Sequence, residues 1–119
     1  MDGIKILRVP IIPRRQGFIF LVLNYFSFAF SATIFGTFLL RNVKPDLIFV
    51  FQVSPVLIGI PSSIISKIRK VPQIFWVLDL WPETLEAIGV IKKKWQSALL
   101  RILIKWIYGS CSLILCQSK

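Results

Sequence analysis

The segment of residues 18–40 constrains the fold more than any other feature, because it contains no charged residue. It is long enough to cross a bilayer as a helix, and Arg14, Arg15 and Arg41 flank it. Polar residues recur through it, however, and basic residues stand at both ends, so the positive-inside rule selects no orientation. The run is also too long and begins too late for a signal peptide. We therefore favour a buried or membrane-surface helix over a spanning one.

The composition indicates that part of the surface contacts something other than water. Of 119 residues, 55% are hydrophobic and only 17% are charged, against roughly 25% charged in an average soluble domain. The formal net charge is +10, and no acidic residue follows Glu86. Such an excess favours anionic partners such as lipid headgroups or phosphorylated substrates. Nucleic acid is not expected, because the basic residues are scattered among aliphatic side chains without a binding signature.

The lack of histidine excludes several kinds of site. A chain without histidine cannot form a Ser-His-Asp or Cys-His catalytic group or a histidine metal site. We predict no metal and no cofactor. In a strand, Cys111 and Cys116 would lie on opposite faces, roughly 16 Å apart at about 3.3 Å per residue. That separation is too large for a disulfide. Reduced cysteines indicate a cytoplasmic protein.

Apolar runs of strand length alternate with helical segments, which predicts an α/β fold. The predicted strands are residues 4–9, 47–51, 73–78 and 112–116. The predicted helices are residues 18–40, a helix with Ser54 as N-cap that Pro61 kinks or restarts, and residues 82–88 and 95–108. This order is typical of a parallel sheet with right-handed crossovers, which binds ligands at the carboxyl ends of its strands. Strand 47–51 is apolar throughout, as expected for a strand covered on both faces.

The helix predicted at residues 95–108 has a basic stripe at spacings of three or four, beside a largely apolar surface. Two interpretations remain open: a core helix with a solvated basic stripe, or a helix lying against anionic lipid. The candidate membrane or anion contacts along the chain are Arg14, Arg15, Lys92, Lys93, Lys94, Arg101 and Lys105.

The segment Asp79-Leu80-Trp81-Pro82-Glu83 is the one whose residue types indicate chemistry. Asp79 follows an apolar strand, and Glu83 lies in the first turn of the next predicted helix. A structural interpretation has these carboxylates satisfying free amides and favouring the helix dipole. A chemical interpretation makes Asp79 a general base toward a sugar hydroxyl, with Glu83 holding a neighbouring hydroxyl. The spacing of Asp79 and Glu83 alone does not distinguish these two interpretations. The phosphate-binding motifs Gly-x-Gly-x-x-Gly and the Walker loop are both missing from the sequence.

Five short motifs also stand in a recognisable order. They are Val9-Pro10, Asn24-Tyr25-Phe26-Ser27-Phe28, Phe49-Val50-Phe51-Gln52-Val53-Ser54-Pro55, Trp76-Val77-Leu78-Asp79-Leu80-Trp81-Pro82-Glu83 and Gln117-Ser118. Together they resemble the N-terminal domain of bacterial family 4 glycosyltransferases, and most closely the subgroup similar to L-fucosamine transferases. The resemblance covers nearly the whole chain, and the run that ends at Glu83 is its most specific part.

The resemblance implies the N-terminal half of a GT-B fold, a partial Rossmann-like three-layer domain with a parallel sheet. It implies metal-independent transfer of a sugar from a nucleotide sugar to a lipid-linked saccharide acceptor in the synthesis of O-antigen, capsule or exopolysaccharide. The expected location is the cytoplasm, peripheral to the inner face of the bacterial plasma membrane. Asp79 is implied as the catalytic residue, where many relatives have histidine, and Glu83, Trp81, Ser54 and Gln52 are implied as substrate contacts.

The chain departs from the family pattern in two ways. It begins after the usual first strand with its glycine-rich loop, and it ends before the donor-binding domain with its Glu-x7-Glu motif. We therefore expect residues 1–119 to be an incomplete acceptor-side domain, inactive alone, with a separate C-terminal domain as a partner. The alternative is a small membrane-anchored or membrane-surface protein without catalytic activity.

Overall fold

A three-stranded parallel sheet forms the centre of the computed structural model, which describes residues 3–117. Its strands are β1 (Ile48–Gln52), β2 (Gln73–Val77) and β3 (Leu113–Cys116), in the order β1-β2-β3. The helices are α1 (Phe18–Leu39), α2 (Gly59–Arg69), α3 (Glu83–Ala87) and α4 (Lys94–Gly109). The predicted α/β fold with a parallel sheet is confirmed, and it is consistent with a partial Rossmann-like domain.

The hydrophobic core lies on one face of the sheet, beneath the helices. The strand register places Val50 beside Phe75 and Phe75 beside Ile114, so these side chains share that face. Phe75 has no exposed surface, and its ring meets the Tyr108 ring edge-on at a centroid distance of 5.8 Å. The buried members of the core are Val50, Val56, Phe75, Val77, Trp81, Ile104 and Ile107.

The opposite face of the sheet is apolar, and no element within residues 3–117 covers it. Phe49, Phe51, Leu113 and Leu115 are exposed there. The Trp76 ring makes edge-on contacts with both phenylalanine rings, at centroid distances of 6.4 and 5.2 Å. The prediction that strand 47–51, which is β1, is covered on both faces is therefore wrong for residues 3–117. The strand order β1-β2-β3 runs in one direction, and successive right-handed crossovers in one direction place their helices on the same side of a sheet. Of the three layers of a Rossmann-like domain, residues 3–117 therefore form two, the sheet and the helices on one side of it.

The strand predicted at residues 4–9 does not form, and the chain is irregular there. The segment that follows is held against α1 instead of against the sheet. Ile12 N–H donates to Ser27 Oγ at 2.9 Å, and Asn24 Nδ2 donates to the Ile12 carbonyl at 2.6 Å. A strand requires a neighbouring strand to pair with, and these contacts direct the segment elsewhere.

The helix after β1 begins later than predicted. Ser54 and Pro55 belong to the connection, and a 3₁₀ turn (Val56–Ile58) precedes α2. The prediction of Ser54 as N-cap is wrong, since no side chain caps this turn or α2. The α-helix begins at Gly59, after the 3₁₀ turn, and not at Pro61. Pro61 lies in the first turn of α2, where a backbone N–H has no acceptor within the helix.

Gly59 lies where α2 approaches the core most closely. An added Cβ would overlap Ile107 Cγ2 and lie 3.0 Å from Phe75 Cε2. We expect Gly59→Ala to lower the free energy of unfolding by about 1–3 kcal/mol, because the core would be overpacked. Urea unfolding followed by circular dichroism measures this change.

Gly109→Ala provides the matched control for this prediction. A Cβ on Gly109, the last residue of α4, meets no atom within 4 Å. Alanine favours helix over glycine by up to about 1 kcal/mol, so this variant should be neutral or more stable. An equal loss of stability in both variants would contradict the close approach at Gly59.

Candidate functional site

The Asp79 carboxylate lies just beyond the carboxyl end of β2, where two nearby side chains contact it. Trp81 Nε1 donates to Asp79 Oδ2 at 2.9 Å, and Thr84 Oγ1 donates to Asp79 Oδ1 at 2.7 Å. The Thr84 hydroxyl also lies 2.7 Å from the Leu80 carbonyl oxygen. No side chain caps the first turn of α3, so the carboxylate does not satisfy helix amides as the structural interpretation expected. It orders the turn through side-chain donors instead.

Gln52 supports this turn from the neighbouring strand. Its side chain has no exposed surface, and Nε2 donates to the Asp79 backbone carbonyl at 3.1 Å. The Leu78 N–H donates to the Gln52 carbonyl at 3.1 Å, so β1 and the Asp79 turn are joined twice. Gln52 Oε1 is buried and has no hydrogen-bond partner among the residues described. The observed contact of Gln52 is with the Asp79 backbone, and its contact with substrate stays a prediction, as does that of the exposed Ser54.

A groove of about 650 Å³ begins at the Trp81-Pro82-Glu83 turn and continues along α4. It brings two predicted substrate contacts, Trp81 and Glu83, next to two predicted anion contacts, Arg101 and Lys105. Asp79 does not line the groove, but it hydrogen-bonds the Trp81 indole that does. The lining residues are Leu80, Trp81, Pro82, Glu83, Arg101, Ile104, Lys105, Tyr108 and Gly109.

The groove carries both signs of charge. Arg101 Nη1 lies 3.1 Å from Glu83 Oε1, and Arg101 Nη2 lies 3.6 Å from Glu86 Oε1. These side chains are substantially exposed, so each pair contributes only about 0–1 kcal/mol. Lys105 forms no ion pair with any residue between 3 and 117. Its ammonium group is therefore available to an anionic ligand.

Thr84 and Tyr108 are site residues that the sequence analysis missed. Thr84 hydrogen-bonds Asp79, and Tyr108 lines the groove. Burial, followed by the nearby thiols and carboxylates, raises the pKa of Tyr108, so its hydroxyl remains a donor at neutral pH. A signal for Thr84 existed, since its place in the first turn of a helix lets a hydroxyl reach back toward the preceding loop. Tyr108 gave no such signal, because its position follows from how α4 packs on β2.

The other predicted anion contacts line two separate concavities. Lys92, Lys93 and Lys94 border one of about 270 Å³ at the start of α4, together with Glu86 and Ser97. Arg14 and Arg15 border one of about 600 Å³ at the start of α1. The predicted basic residues thus form three groups, and only Arg101 and Lys105 adjoin the Trp81-Pro82-Glu83 turn.

Helix α4 is not a simple core helix with a solvated basic stripe. Ile104 and Ile107 are buried, but Trp95, Leu99 and Ile102 are exposed at spacings of three or four. Apolar and basic surface therefore lie side by side on the exposed part of α4. Contact of α4 with anionic lipid stays a prediction.

The described part of the chain, residues 3–117, contains no group of three or more cysteine, aspartate and glutamate side chains able to hold a metal ion. Both cysteines are free thiols. Burial raises the pKa of Cys111, against the opposing effect of its hydrogen bond with Gln73. The Cys111 thiol is therefore protonated at neutral pH and a poor nucleophile.

Comparisons with protein-family models, with curated proteins and with solved structures find no match for this chain. The glycosyltransferase resemblance accordingly stays a prediction that rests on the sequence motifs. The structure itself contributes a parallel sheet, an ordered Asp79 turn at the carboxyl end of β2, and a groove beside that turn.

Proposed function

We propose that this chain is the acceptor-side part of a bacterial glycosyltransferase that transfers a sugar from a nucleotide sugar to a lipid-linked saccharide in surface-polysaccharide synthesis. It would work at the cytoplasmic face of the plasma membrane, with a donor-binding domain as its partner. The observation that carries the proposal is the groove in which Trp81, Glu83, Arg101 and Lys105 meet.

The groove suits a saccharide joined to a diphosphate. Beside the largely buried Trp81, the exposed Leu80 offers apolar surface to a sugar ring, and the Glu83 carboxylate accepts hydrogen bonds from sugar hydroxyls. Arg101 and Lys105 supply charge-assisted donors for phosphate oxygens. Because Lys105 has no ion pair within residues 3–117, binding of phosphate there breaks no ion pair among those residues.

Asp79 is the proposed general base. Trp81 and Thr84 occupy two acceptor positions of its carboxylate, and a carboxylate has about four. Asp79 does not line the groove, so the acceptor hydroxyl would have to meet it at the groove edge beside Trp81. There a remaining position of the carboxylate accepts the proton of that hydroxyl as its oxygen bonds to the anomeric carbon of the donor sugar. The bond from that carbon to the nucleoside diphosphate breaks in the same transfer, and the nucleoside diphosphate leaves.

Acceptor binding tests the proposal on the full chain. A short prenyl-diphosphate-linked sugar should bind about tenfold more tightly than the prenyl diphosphate alone, because only the former contacts Glu83 through its hydroxyls. Isothermal titration in detergent measures both affinities. Lys105→Ala should weaken binding of the sugar-linked ligand about tenfold. Lys5→Ala makes the same charge change on another surface and should alter the affinity for the sugar-linked ligand by less than about twofold. Equal affinity of the wild-type chain for the two ligands would contradict the proposal.

The exposure of α1 favours a second candidate, a non-catalytic protein held at a membrane. This helix is long and apolar enough to cross a bilayer, and only 11% of its most apolar window is buried. Such exposure is unlike that of a core helix of a soluble protein. Retention of the chain in washed membranes, without preferential binding of the sugar-linked ligand, would favour this candidate over the glycosyltransferase.

A further inference from the structure

Helix α1 carries a continuous apolar stripe on its exposed side. The stripe follows the helix at spacings of three or four, which place residues on one face. It extends over about 28 Å at a rise of 1.5 Å per residue. We call it the α1 stripe, and its exposed members are Ile19, Leu23, Phe26, Phe30, Ile34 and Phe38. An uncharged apolar surface of this length is larger than a soluble monomer ordinarily leaves in water.

Part of the other side of α1 is attached to the domain, although Phe18, Phe35 and Leu39 are also exposed. Gly36 lies so close to α2 that an added Cβ would be 3.1 Å from Ile65 Cδ1. At the end of α1, the Arg69 guanidinium donates to the carbonyls of Leu40 and Arg41, at 2.6 and 2.8 Å. To cross a bilayer, α1 would have to leave α2 or carry the polar α2 into hydrocarbon with it, and both changes are unfavourable. The attachment therefore opposes a spanning arrangement.

The polar side chains of α1 do not oppose contact with lipid. Ser31 donates to the Phe28 carbonyl at 3.3 Å, and Thr33 donates to the Ala29 carbonyl at 2.7 Å. Thr37 donates to the Thr33 carbonyl at 2.6 Å. A hydroxyl bonded to its own helix costs much less to place near hydrocarbon than a free one. The α1 stripe is therefore apolar in effect as well as in composition.

Cations stand at both ends of α1. Arg14 and Arg15 precede it, and Arg41 and Lys44 follow it. A spanning helix concentrates basic residues at its cytoplasmic end. A helix lying in the membrane plane instead places both ends in one layer of anionic headgroups, where each basic residue is attracted. The symmetric charge is thus complementary to an anionic surface that runs along the whole helix.

We propose that α1 lies in the plane of an anionic bilayer surface. The α1 stripe then sits at the boundary of the acyl chains, and Arg14, Arg15, Arg41 and Lys44 sit among the headgroup phosphates. The sheet and α2 remain on the aqueous side. This inference goes beyond the proposed function, because it assigns the surface and the orientation with which α1 meets the bilayer, and it holds whether or not the chain transfers sugar.

Vesicle flotation with the full chain tests the docking surface. The protein should float with phosphatidylcholine vesicles that contain phosphatidylglycerol, and much less with phosphatidylcholine alone. The double variant Phe26→Ala/Phe30→Ala should lower the partition coefficient about tenfold or more, because it removes two inserted side chains while alanine preserves the helix.

The matched control removes the same two side chains from the uncovered sheet face. Phe49→Ala/Phe51→Ala should leave the partition coefficient within about twofold of the wild-type value. If the sheet variant loses binding as strongly as the α1 variant, or if the wild-type chain does not float, the proposal is overturned. Circular dichroism of both variants establishes that they are folded.

Cysteine labelling distinguishes a helix in the membrane plane from a spanning one without weakening the stripe. Gln16→Cys and Asn42→Cys, made singly with Cys111→Ser and Cys116→Ser, place a thiol at either end of α1. An impermeant maleimide added outside vesicle-bound protein should label both ends. Protection of one end would show a spanning helix and overturn the proposal. Since acceptor binding is measured with a different ligand, failure of the proposed function and failure of this inference are distinguishable.

Discussion

Phe75→Ala is expected to lower the free energy of unfolding by about 3–5 kcal/mol, a large part of the stability of a small domain. Phe75 lies on the central strand with no exposed surface, and it meets Tyr108 edge-on. It also closes the space beside Gly59. Among residues 3–117, helices cover only one face of the sheet, so this core is small. Few neighbouring side chains are available to collapse into the cavity.

Denaturant unfolding followed by circular dichroism measures this effect, and Phe49→Ala is its control. Phe49 is half exposed on the opposite face of the neighbouring strand. Removal of its ring should cost only about 1 kcal/mol, because much of that ring already contacts water. A loss for Phe49→Ala as large as that for Phe75→Ala would show that the exposed sheet face is buried in solution, by self-association for example. Sedimentation of the wild-type chain would then reveal the oligomer.

Asp79→Asn is expected to reduce sugar transfer about a hundredfold or more, while it lowers the free energy of unfolding by only about 1 kcal/mol. The amide oxygen of asparagine can still accept from Trp81 Nε1. Its amino group can donate to Thr84 Oγ1, whose own proton can go to the Leu80 carbonyl 2.7 Å away. The turn therefore survives the substitution. The general base does not, because an amide cannot take the proton of the attacking hydroxyl.

Transfer of labelled sugar from nucleotide sugars, in membranes that contain the chain together with its donor-binding partner, measures the first quantity, and thermal unfolding measures the second. Trp81→Phe is the control, because it removes the indole donor to Asp79 but keeps an aromatic ring at the groove. It should cost about 1–2 kcal/mol of stability and reduce transfer much less than Asp79→Asn. If both variants lose stability and transfer in the same proportion, Asp79 is a structural residue of the turn.

Local patterns predicted most of the elements. The uncharged run became α1, the apolar runs before Asp79 and before Gln117 became β2 and β3, and the basic amphipathic segment became α4. The errors concern features that depend on distant partners. The segment of residues 4–9 lacks a strand because Asn24 and Ser27 hold the neighbouring chain on α1. Ser54 is no N-cap because a 3₁₀ turn comes before α2.

In the candidate site, too, some features follow from residues close in sequence, and others depend on contacts between distant parts of the chain. The position of Asp79 at a strand end, with Glu83 one turn into the next helix, follows from residues adjacent in sequence. The meeting of Glu83 with Arg101 does not, because it depends on how α4 returns along the sheet. The support of the Asp79 turn by Gln52 likewise joins two strands that are far apart in the chain. Sequence spacing contains no information about such distances.

The sequence by itself determined the excess of apolar and basic surface, the uncharged helix and the parallel α/β order, because these follow from composition and periodicity. Only the tertiary structure decided which surfaces stay exposed. It turned the α1 stripe outward while Gly36 packs near Ile65, and it left the Phe49 side of the sheet uncovered. The physical reason is that burial is shared between elements: a helix face or a sheet face is buried only if another part of the chain packs on it.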